Sequence, residues 1–425
     1  MLDYNQQNIA FFIYYINKYM PIINRNIFQE IIKTINKTIT VIHGARQVGK
    51  TTLMKSIEHY LKKEKNISEN QIFYFDLEDF EFLDLCNGGY KEVIKSLEFK
   101  GANFKKDTYL FIDEVQYLDN PSSFLKLLAD HSQIHVIVSG SSSFKIKSKF
   151  KDSLVGRTIN YELFGLSFDE FLKFKNKKFD LKNTDKKFPT IIIKELRELF
   201  VEYVIFGSYP KVVLEKDTDI KKKIIKQIIE TYVRKDIADL ADVRDIRKFN
   251  NLLKYLSKIS GNILNILDIS KILNINRETI EKYLFILENT YIIKLVSPFS
   301  KSPKTELSKM PKIYFEDTGL MNILKLYDFP KEIDGALFEN SIYNLLRKIA
   351  DIDALYYWRT THGQEVDFVI ENINKLIAIE TKLNFYKNTH PGLRSFNERY
   401  NTKKSFVCSL DGQNIIYPWQ LMNLL

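Results

Sequence analysis

His43-Gly44-Ala45-Arg46-Gln47-Val48-Gly49-Lys50-Thr51-Thr52 is the stretch on which the reading of this 425-residue chain turns. It carries the pattern Gly-x-x-x-x-Gly-Lys-Thr in full. Thr38-Ile39-Thr40-Val41-Ile42, just before it, is apolar and β-branched and predicts a buried strand. Leu53-Met54-Lys55-Ser56-Ile57, just after it, opens a helical pattern. A glycine loop between strand and helix is the context that gives this motif its meaning. Gly44 and Gly49 free the backbone so that successive N–H groups turn toward a phosphate. The helix that follows adds the positive end of its dipole. Lys50 then faces the β- and γ-phosphates of ATP, and the Thr51 hydroxyl completes a Mg²⁺ shell. Residues Gly44 to Thr52 form the expected nucleotide-binding set.

A second strand is expected over Gln71-Ile72-Phe73-Tyr74-Phe75-Asp76, and a third over Thr108-Tyr109-Leu110-Phe111-Ile112-Asp113-Glu114. The third ends in two acids. Asp113 is placed to hold the Mg²⁺ shell through water, and Glu114 to orient and deprotonate an attacking water. The alternative for the pair is a cap on the next segment. A further strand, His135-Val136-Ile137-Val138, runs into Ser139-Gly140-Ser141-Ser142-Ser143. In ATPases with an extra central strand a polar group here senses the γ-phosphate. Ser141 is the candidate, with a plain serine turn as the alternative. Together these elements predict an α/β domain of three layers with ligand at the carboxyl ends of its strands.

The length suits roughly two to four domains of about 100–200 residues. Hydrophobic residues make up 45% and charged residues 27%, ordinary for a soluble globular protein. The net charge of +10 is spread over a Lys-rich chain and does not by itself point to nucleic acid. With only Cys86 and Cys408, no disulfide framework or cysteine metal site is expected, which fits a reducing cytoplasm. The six histidines show no zinc-ligand spacing. No apolar run reaches the ~18 residues of a membrane span. Ile9-Ala10-Phe11-Phe12-Ile13-Tyr14-Tyr15-Ile16 is too short, lacks a basic preceding region, and reads as an amphipathic helix on the core.

Taken together, Gly44-Ala45-Arg46-Gln47-Val48-Gly49-Lys50-Thr51-Thr52, Ile112-Asp113-Glu114-Val115-Gln116, Gly156-Arg157, Leu163-Phe164-Gly165-Leu166-Ser167-Phe168-Asp169-Glu170-Phe171 and Gly207-Ser208-Tyr209-Pro210 resemble a prokaryotic family of AAA-type ATPases. That family joins a P-loop NTPase core, an AAA+/ASCE-type parallel sheet, to a C-terminal domain of unknown function (DUF4143). The resemblance runs essentially end to end. Two positions depart from it: Gly165 stands where the family has Pro, and Ser208 where it has Gly. The resemblance makes Arg157 a candidate to act on the γ-phosphate, within one subunit or across an interface. The alternative for Arg157 is a surface ion pair.

Further along, residues 173–190 read as a linker, and residues up to 260 as a helical lid. Residues 262–296 resemble a winged helix-turn-helix, with Asp268 capping a helix that holds Ile269, Ile272 and Leu273, and Asn276 capping the next. The outward positions of that next helix, Arg277, Glu278, Glu281 and Lys282, are half acidic and would repel phosphate. A packing module is therefore favoured over a DNA reader. Near the C-terminus, a helical Glu339, Asp367 on one strand and Glu380-x-Lys382 on the next look like the metal site of PD-(D/E)xK nucleases. Strand alternation puts Glu380 and Lys382 on one face. The alternatives are a half-buried hairpin with solvated charges and a degenerate, inactive nuclease fold. The expected division is 1–172 for the ATPase core, 173–260 for linker and lid, 261–315 for the winged-helix-like module and 316–425 for an α/β nuclease-like domain. The reading is an ATP-hydrolysing machine using ATP and Mg²⁺ whose nucleotide state moves the later parts. An ATP-regulated DNA nuclease and a non-enzymatic signalling switch are the competing readings. DNA, a protein partner and a homo-oligomer are the partners left open.

Overall fold

Ile39–Gly44 and Thr108–Asp113 are buried along their whole length and show no alternation. Strands covered on both faces of a parallel sheet read this way. In the computed structural model they are β1 and β3 of a five-stranded sheet completed by β2 (Ile72–Asp76), β4 (Ile134–Gly140) and β5 (Thr158–Leu163), in the order β2-β3-β4-β1-β5. The structure describes residues 23–131, 133–140, 154, 156–181, 188–231, 246–301, 310–372, 375–388, 390–402 and 404–424. The helix expected over Ile9–Ile16 lies outside these. Among the described residues no helix is long and apolar enough to cross a membrane.

The chain divides into two compact units. The first comprises Met1–His43, Gly49–Ser141 and Lys145–Leu163; the second comprises Phe164–Leu425 with the short stretches Gly44–Val48 and Ser142–Phe144. In the first, β2 pairs with β3, β3 with β4 and β4 with β1, all parallel. Alternate residues of these strands, among them Val41, Phe75, Ile112 and Val138, share one apolar core with Val93 and Leu97 of the helix Tyr90–Phe99 and with Phe124, Leu125 and Leu128 of the helix Pro121–His131. The helix Lys50–Lys63 buries Leu53, Met54, Ile57 and Leu61, the stripe that its spacing predicts. β5 falls where the sequence reading places no strand. It is an edge strand with only Tyr161 and Leu163 fully buried, so its pattern is weak. The decisive placement is β4: inserted between β1 and β3, it brings its own carboxyl end beside theirs.

The second unit starts with helices Phe168–Phe174, Thr190–Phe206, Pro210–Leu214, Thr218–Thr231 and Ile246–Lys258. Ser167 and Glu170 close a capping box on the first of them. Helices Ile266–Leu273 and Arg277–Asn289 then lead into an antiparallel pair, β6 (Ile293–Val296) and β7 (Lys312–Phe315). Asn276 caps the second helix through Thr279 N–H as expected. The cap of the first is Asn265, not Asp268: the Asn265 side chain accepts from the Leu267 and Asp268 N–H groups. Of the apolar residues assigned to that helix, Ile269 is buried, whereas Ile272 is exposed. Helices Thr318–Leu326 and Gly335–Leu346 precede a four-stranded sheet ordered β11-β10-β9-β8. Its strands are β8 (Leu355–Arg359), β9 (Glu365–Asn372), β10 (Lys375–Phe385) and β11 (Lys404–Gly412). β8 to β10 run antiparallel, and β11 returns parallel to β10 after the helix Pro391–Tyr400.

The two positions that depart from the family pattern meet each other. A Cβ added to Gly165 would lie 2.1 Å from Ser208 Oγ. Ser208 in turn gives its N–H (2.6 Å) and hydroxyl (2.8 Å) to the buried carboxylate of Asp317. Gly207, at φ +83°, is also pressed against that carboxylate: a Cβ there would stand 2.3 Å from Asp317 Oδ1. The side chain absent at residue 165 and the one gained at residue 208 thus fill the same space. Gly165→Ala is expected to cost about 1–3 kcal/mol by overpacking. Ser208→Gly is expected to cost about 1 kcal/mol through a lost hydrogen bond. The double variant should cost less than the two combined, measured by chemical denaturation; strictly additive losses would break the link.

Candidate functional site

The loop between β1 and the helix Lys50–Lys63 takes conformations that side chains resist: φ is 154° at Gly44, 60° at Gln47 and 99° at Gly49. At Gly49 nothing lies within 4 Å of an added Cβ, so backbone conformation, not space, demands glycine there. Gly49 caps the helix without a side-chain hydrogen bond, and no acidic residue sits in the first turn. The opening N–H groups of the helix thus present a positive end with no carboxylate of their own turn to quench it. Lys50 is buried at the start of this turn.

One residue on, the Thr51 hydroxyl donates to Asp113 Oδ2 at 2.7 Å. This bond joins the first turn of the helix to the end of β3. Asp113 is 2% exposed and is surrounded by donors: Tyr74 OH at 2.8 Å, Ser139 Oγ, and the Glu114 N–H at 3.1 Å. Burial, reinforced by the Asp113 charge, pushes the Tyr74 phenol well above its ordinary pKa, so it stays a donor. A hydroxyl and a carboxylate held side by side at a helix N-terminus are the donor set a magnesium ion takes, and these residues fit that ion. Glu114 follows in a left-handed conformation, φ 55°, with Gln116 Nε2 donating to its Oε2.

Ser141 lies outside the described residues; the serine found at this position of the site is Ser139, two residues earlier and still within β4. Tyr74 was missed in the sequence because it reads as a strand residue, and Ser139 because Ser141 was chosen from the serine run that it opens. Their one signal is that both sit near the carboxyl end of a strand flanking β3. Arg157 is at the other end. Its carbonyl accepts from Ile39 N–H at the start of β1, and its guanidinium pairs with Asp130 at 3.1 Å. About 17 Å of strand separate it from the loop, at roughly 3.3 Å per residue. A role on the γ-phosphate within its own subunit is thereby corrected: the surface ion pair is what forms.

The C-terminal candidates do converge. Glu339 projects from the helix Gly335–Leu346, Asp367 from β9, and Glu380 and Lys382 from one face of β10, where Lys382 Nζ meets Glu380 Oε1 at 2.6 Å. A residue absent from the sequence reading stands among them. Lys312 of β7, buried, reaches Glu339 Oε1 at 3.0 Å, Glu365 Oε1 at 2.5 Å and Asp367 Oδ1 at 3.5 Å. Tyr314, two residues on, gives its hydroxyl to the same Glu339 oxygen at 2.6 Å. Asp367 Oδ2 accepts from Thr381 N–H (2.9 Å) and Thr381 Oγ1 (2.7 Å). His390 Nε2 lies 3.3 Å from Glu380 Oε1. Burial alone would lower the Lys312 ammonium; Glu339, Asp367 and Glu365 outweigh it and hold it above its ordinary value. Burial and then the Asp367 charge raise Glu339 to about 7 and Glu380 to about 8. Among the described residues no group of three or more His, Cys, Asp and Glu is disposed to hold a metal ion. The nuclease metal does not fit this cluster as it stands, since an ammonium already occupies its centre.

A family profile described as an AAA domain matches residues 36–172. Two profiles for domains of unknown function, DUF8612 and DUF4143, match residues 197–330 and 334–420. An uncharacterized protein of Methanocaldococcus jannaschii is 31% identical over 379 residues, covering 87% of this chain and 80% of that protein. The chain belongs to that protein's family. An uncharacterized protein of Haemophilus influenzae is 25% identical over 396 residues, 89% of this chain and 92% of that one. Among solved structures, C. elegans PCH-2 overlaps 47% of this chain and 56% of its own at 13% identity and a TM-score of 0.31, too distant to carry an argument. The family resemblance drawn from the glycine loop is borne out for the AAA and DUF4143 parts. The chain carries an AAA-type, nucleotide-binding P-loop domain.

The raised carboxyls set a pH dependence. Between the ordinary value of 4.5 and folded values of about 7 and about 8, the folded chain keeps protons that the unfolded chain releases. Stability therefore falls as pH rises through that window. Denaturation midpoints measured from pH 5 to pH 8 should drop, and Glu380→Gln should flatten the drop; a slope unchanged in that variant contradicts the assignment.

Proposed function

We propose that this chain is an ATP hydrolase whose reacting end is built by Lys50, Thr51, Asp113 and Glu114. The observation that carries the reading is the hydrogen bond from Thr51 to Asp113, which fastens the phosphate loop to the acid strand. The loop amides and Lys50 would bind and orient the β- and γ-phosphates and neutralise charge that grows in the transition state. Thr51 and Asp113 would hold Mg²⁺, which neutralises phosphate oxygens when bound. Glu114 would take a proton from the attacking water, its carboxylate positioned by Gln116. Ser139, not Ser141, is the β4 group this reading assigns to sensing, through its bond to Asp113. If Arg157 acts on phosphate, it acts across an interface between copies.

Nucleotide state would be read out by the parts after the core, taken as 173–260, 261–315 and 316–425. The helix Arg277–Asn289 gives no support to DNA reading: Arg277 is tied to Glu281 at 2.7 Å, and the neighbouring Glu278 is acidic. A protein partner or a second copy is the partner class this reading keeps. Metal-dependent DNA cleavage is left out of it, because Lys312 sits among the carboxylates.

Lys50→Ala should lose nucleotide binding, measured by fluorescent-nucleotide titration. Glu114→Gln should keep binding while turnover falls by about 10²–10⁴-fold, the usual contribution of a positioned base. Steady-state turnover at wild-type rates in both variants would discard the site.

A further inference from the structure

The carboxylates that resemble a metal site are already answered by protein donors. Glu339 is gripped from one strand by two residues on the same face of β7, the Lys312 ammonium and the Tyr314 hydroxyl, both on Oε1. The backbone that delivers Lys312 is fixed. It pairs with Val296 across the β6–β7 ladder and bridges to Ile263 on the other side. Neighbouring backbone bonds, Leu264 N–H to Pro311 O and Ile313 N–H to Asn262 O, pin the strand on both sides of it. Gly261 lines the same carboxylate, with an added Cβ only 3.3 Å from its oxygens. Asp367 spends one oxygen on Thr381 and the other on Lys312. Glu380 gives Oε1 to Lys382 and His390, while its Oε2 is buried and has no partner among the described residues, in a residue only 3% exposed.

Four carboxyl groups, Glu339, Glu365, Asp367 and Glu380, thus meet the ammoniums of Lys312 and Lys382 and, on Glu365, the Arg359 guanidinium at 3.6 Å, and Glu380 Oε2 is left buried with no partner among the described residues. Carboxyl groups crowded this closely favour a cation among them. The central position is taken by Lys312. We propose that Lys312 is an internal cation occupying the place of a divalent ion, so that the cluster excludes metal while the ammonium is present and takes a divalent cation on hard oxygen donors once the ammonium is removed by substitution. Removing the ammonium would leave Asp367 Oδ1 without its cation and Glu339 Oε1 with only the Tyr314 hydroxyl, oxygen donors that, with Glu380 Oε2, suit Mn²⁺ or Mg²⁺. This inference is independent of the ATPase reading above.

The test uses nucleotide-free full chain and Mn²⁺ alone, followed by calorimetry and by the electron paramagnetic resonance signal of free Mn²⁺. Lys312→Met should bind one more Mn²⁺ ion per chain than wild type, and Lys312→Met combined with Asp367→Asn should lose it. Any ion held at the P-loop is common to all these proteins and cancels. A folded Lys312→Met chain that takes up no further ion overturns the proposal. Should Lys312→Met not fold, judged by circular dichroism, Lys312→Gln carries the same expectation. The wild-type arm also stands alone: an ion bound by wild type and lost in Asp367→Asn shows that the ammonium excludes nothing, and the proposal fails.

Discussion

A single bond, 2.7 Å from the Thr51 hydroxyl to Asp113, organises the first unit. It is possible only because β1, β3 and β4 end side by side. β1 delivers the loop, β3 delivers the acid, and β4 between them delivers Ser139 to the same carboxylate. A buried carboxylate with several donors is costly to leave unmatched, so the hydroxyls around Asp113 define its position more tightly than packing alone would. The apolar strands exist to set these three ends in register. Tyr74 extends the arrangement from β2, so four parallel strands contribute to one acid.

The second unit solves a different problem. It holds acids that are buried or half-buried: Asp317 takes the Ser208 N–H and hydroxyl and the Leu320 N–H, while Glu339, Glu365 and Asp367 share Lys312. Each is stable only with its donors in place, because a buried charge stripped of partners is strongly destabilising. This is why glycines crowd the first of these acids. Gly207 approaches Asp317 more closely than any side chain allows, and Gly319 comes as near to Phe206 O, where an added Cβ would stand 2.1 Å away. Tyr314 and Tyr343 stack at 4.8 Å and give their hydroxyls to Glu339 and Glu316.

What was legible in the sequence was whatever depends on neighbours along the chain. The glycine loop, the apolar runs of β1 and β3, and the Asn276 cap each follow from local stereochemistry, and each is where the residues put it. Strand alternation also placed Glu380 and Lys382 together. What was not legible depends on contacts across the fold. Lys312 reads as an ordinary surface lysine after a proline, and only the pairing of β7 buries it. Ser139 looks less sensor-like than the serines after it, because its position counts and its composition does not. Asp268 reads as the cap; Asn265, three positions earlier, is as good a cap residue, and the turn uses it. Within its own subunit Arg157 is kept from the phosphate for a topological reason: its carbonyl sits at the start of β1, and the residue preceding β5 lies at that amino end.

The Lys312 contacts also bear on where one evolutionary module stops and the next begins. The two profiles of unknown function meet between residues 330 and 334, but the ammonium lies on one side of that seam and its acids on the other. A fragment excised at the seam would carry Glu339, Glu365, Asp367 and Glu380 in its interior without the charge that answers three of them. The profile border and the electrostatics therefore do not coincide: the ion pairs of Lys312 join residues on either side of it.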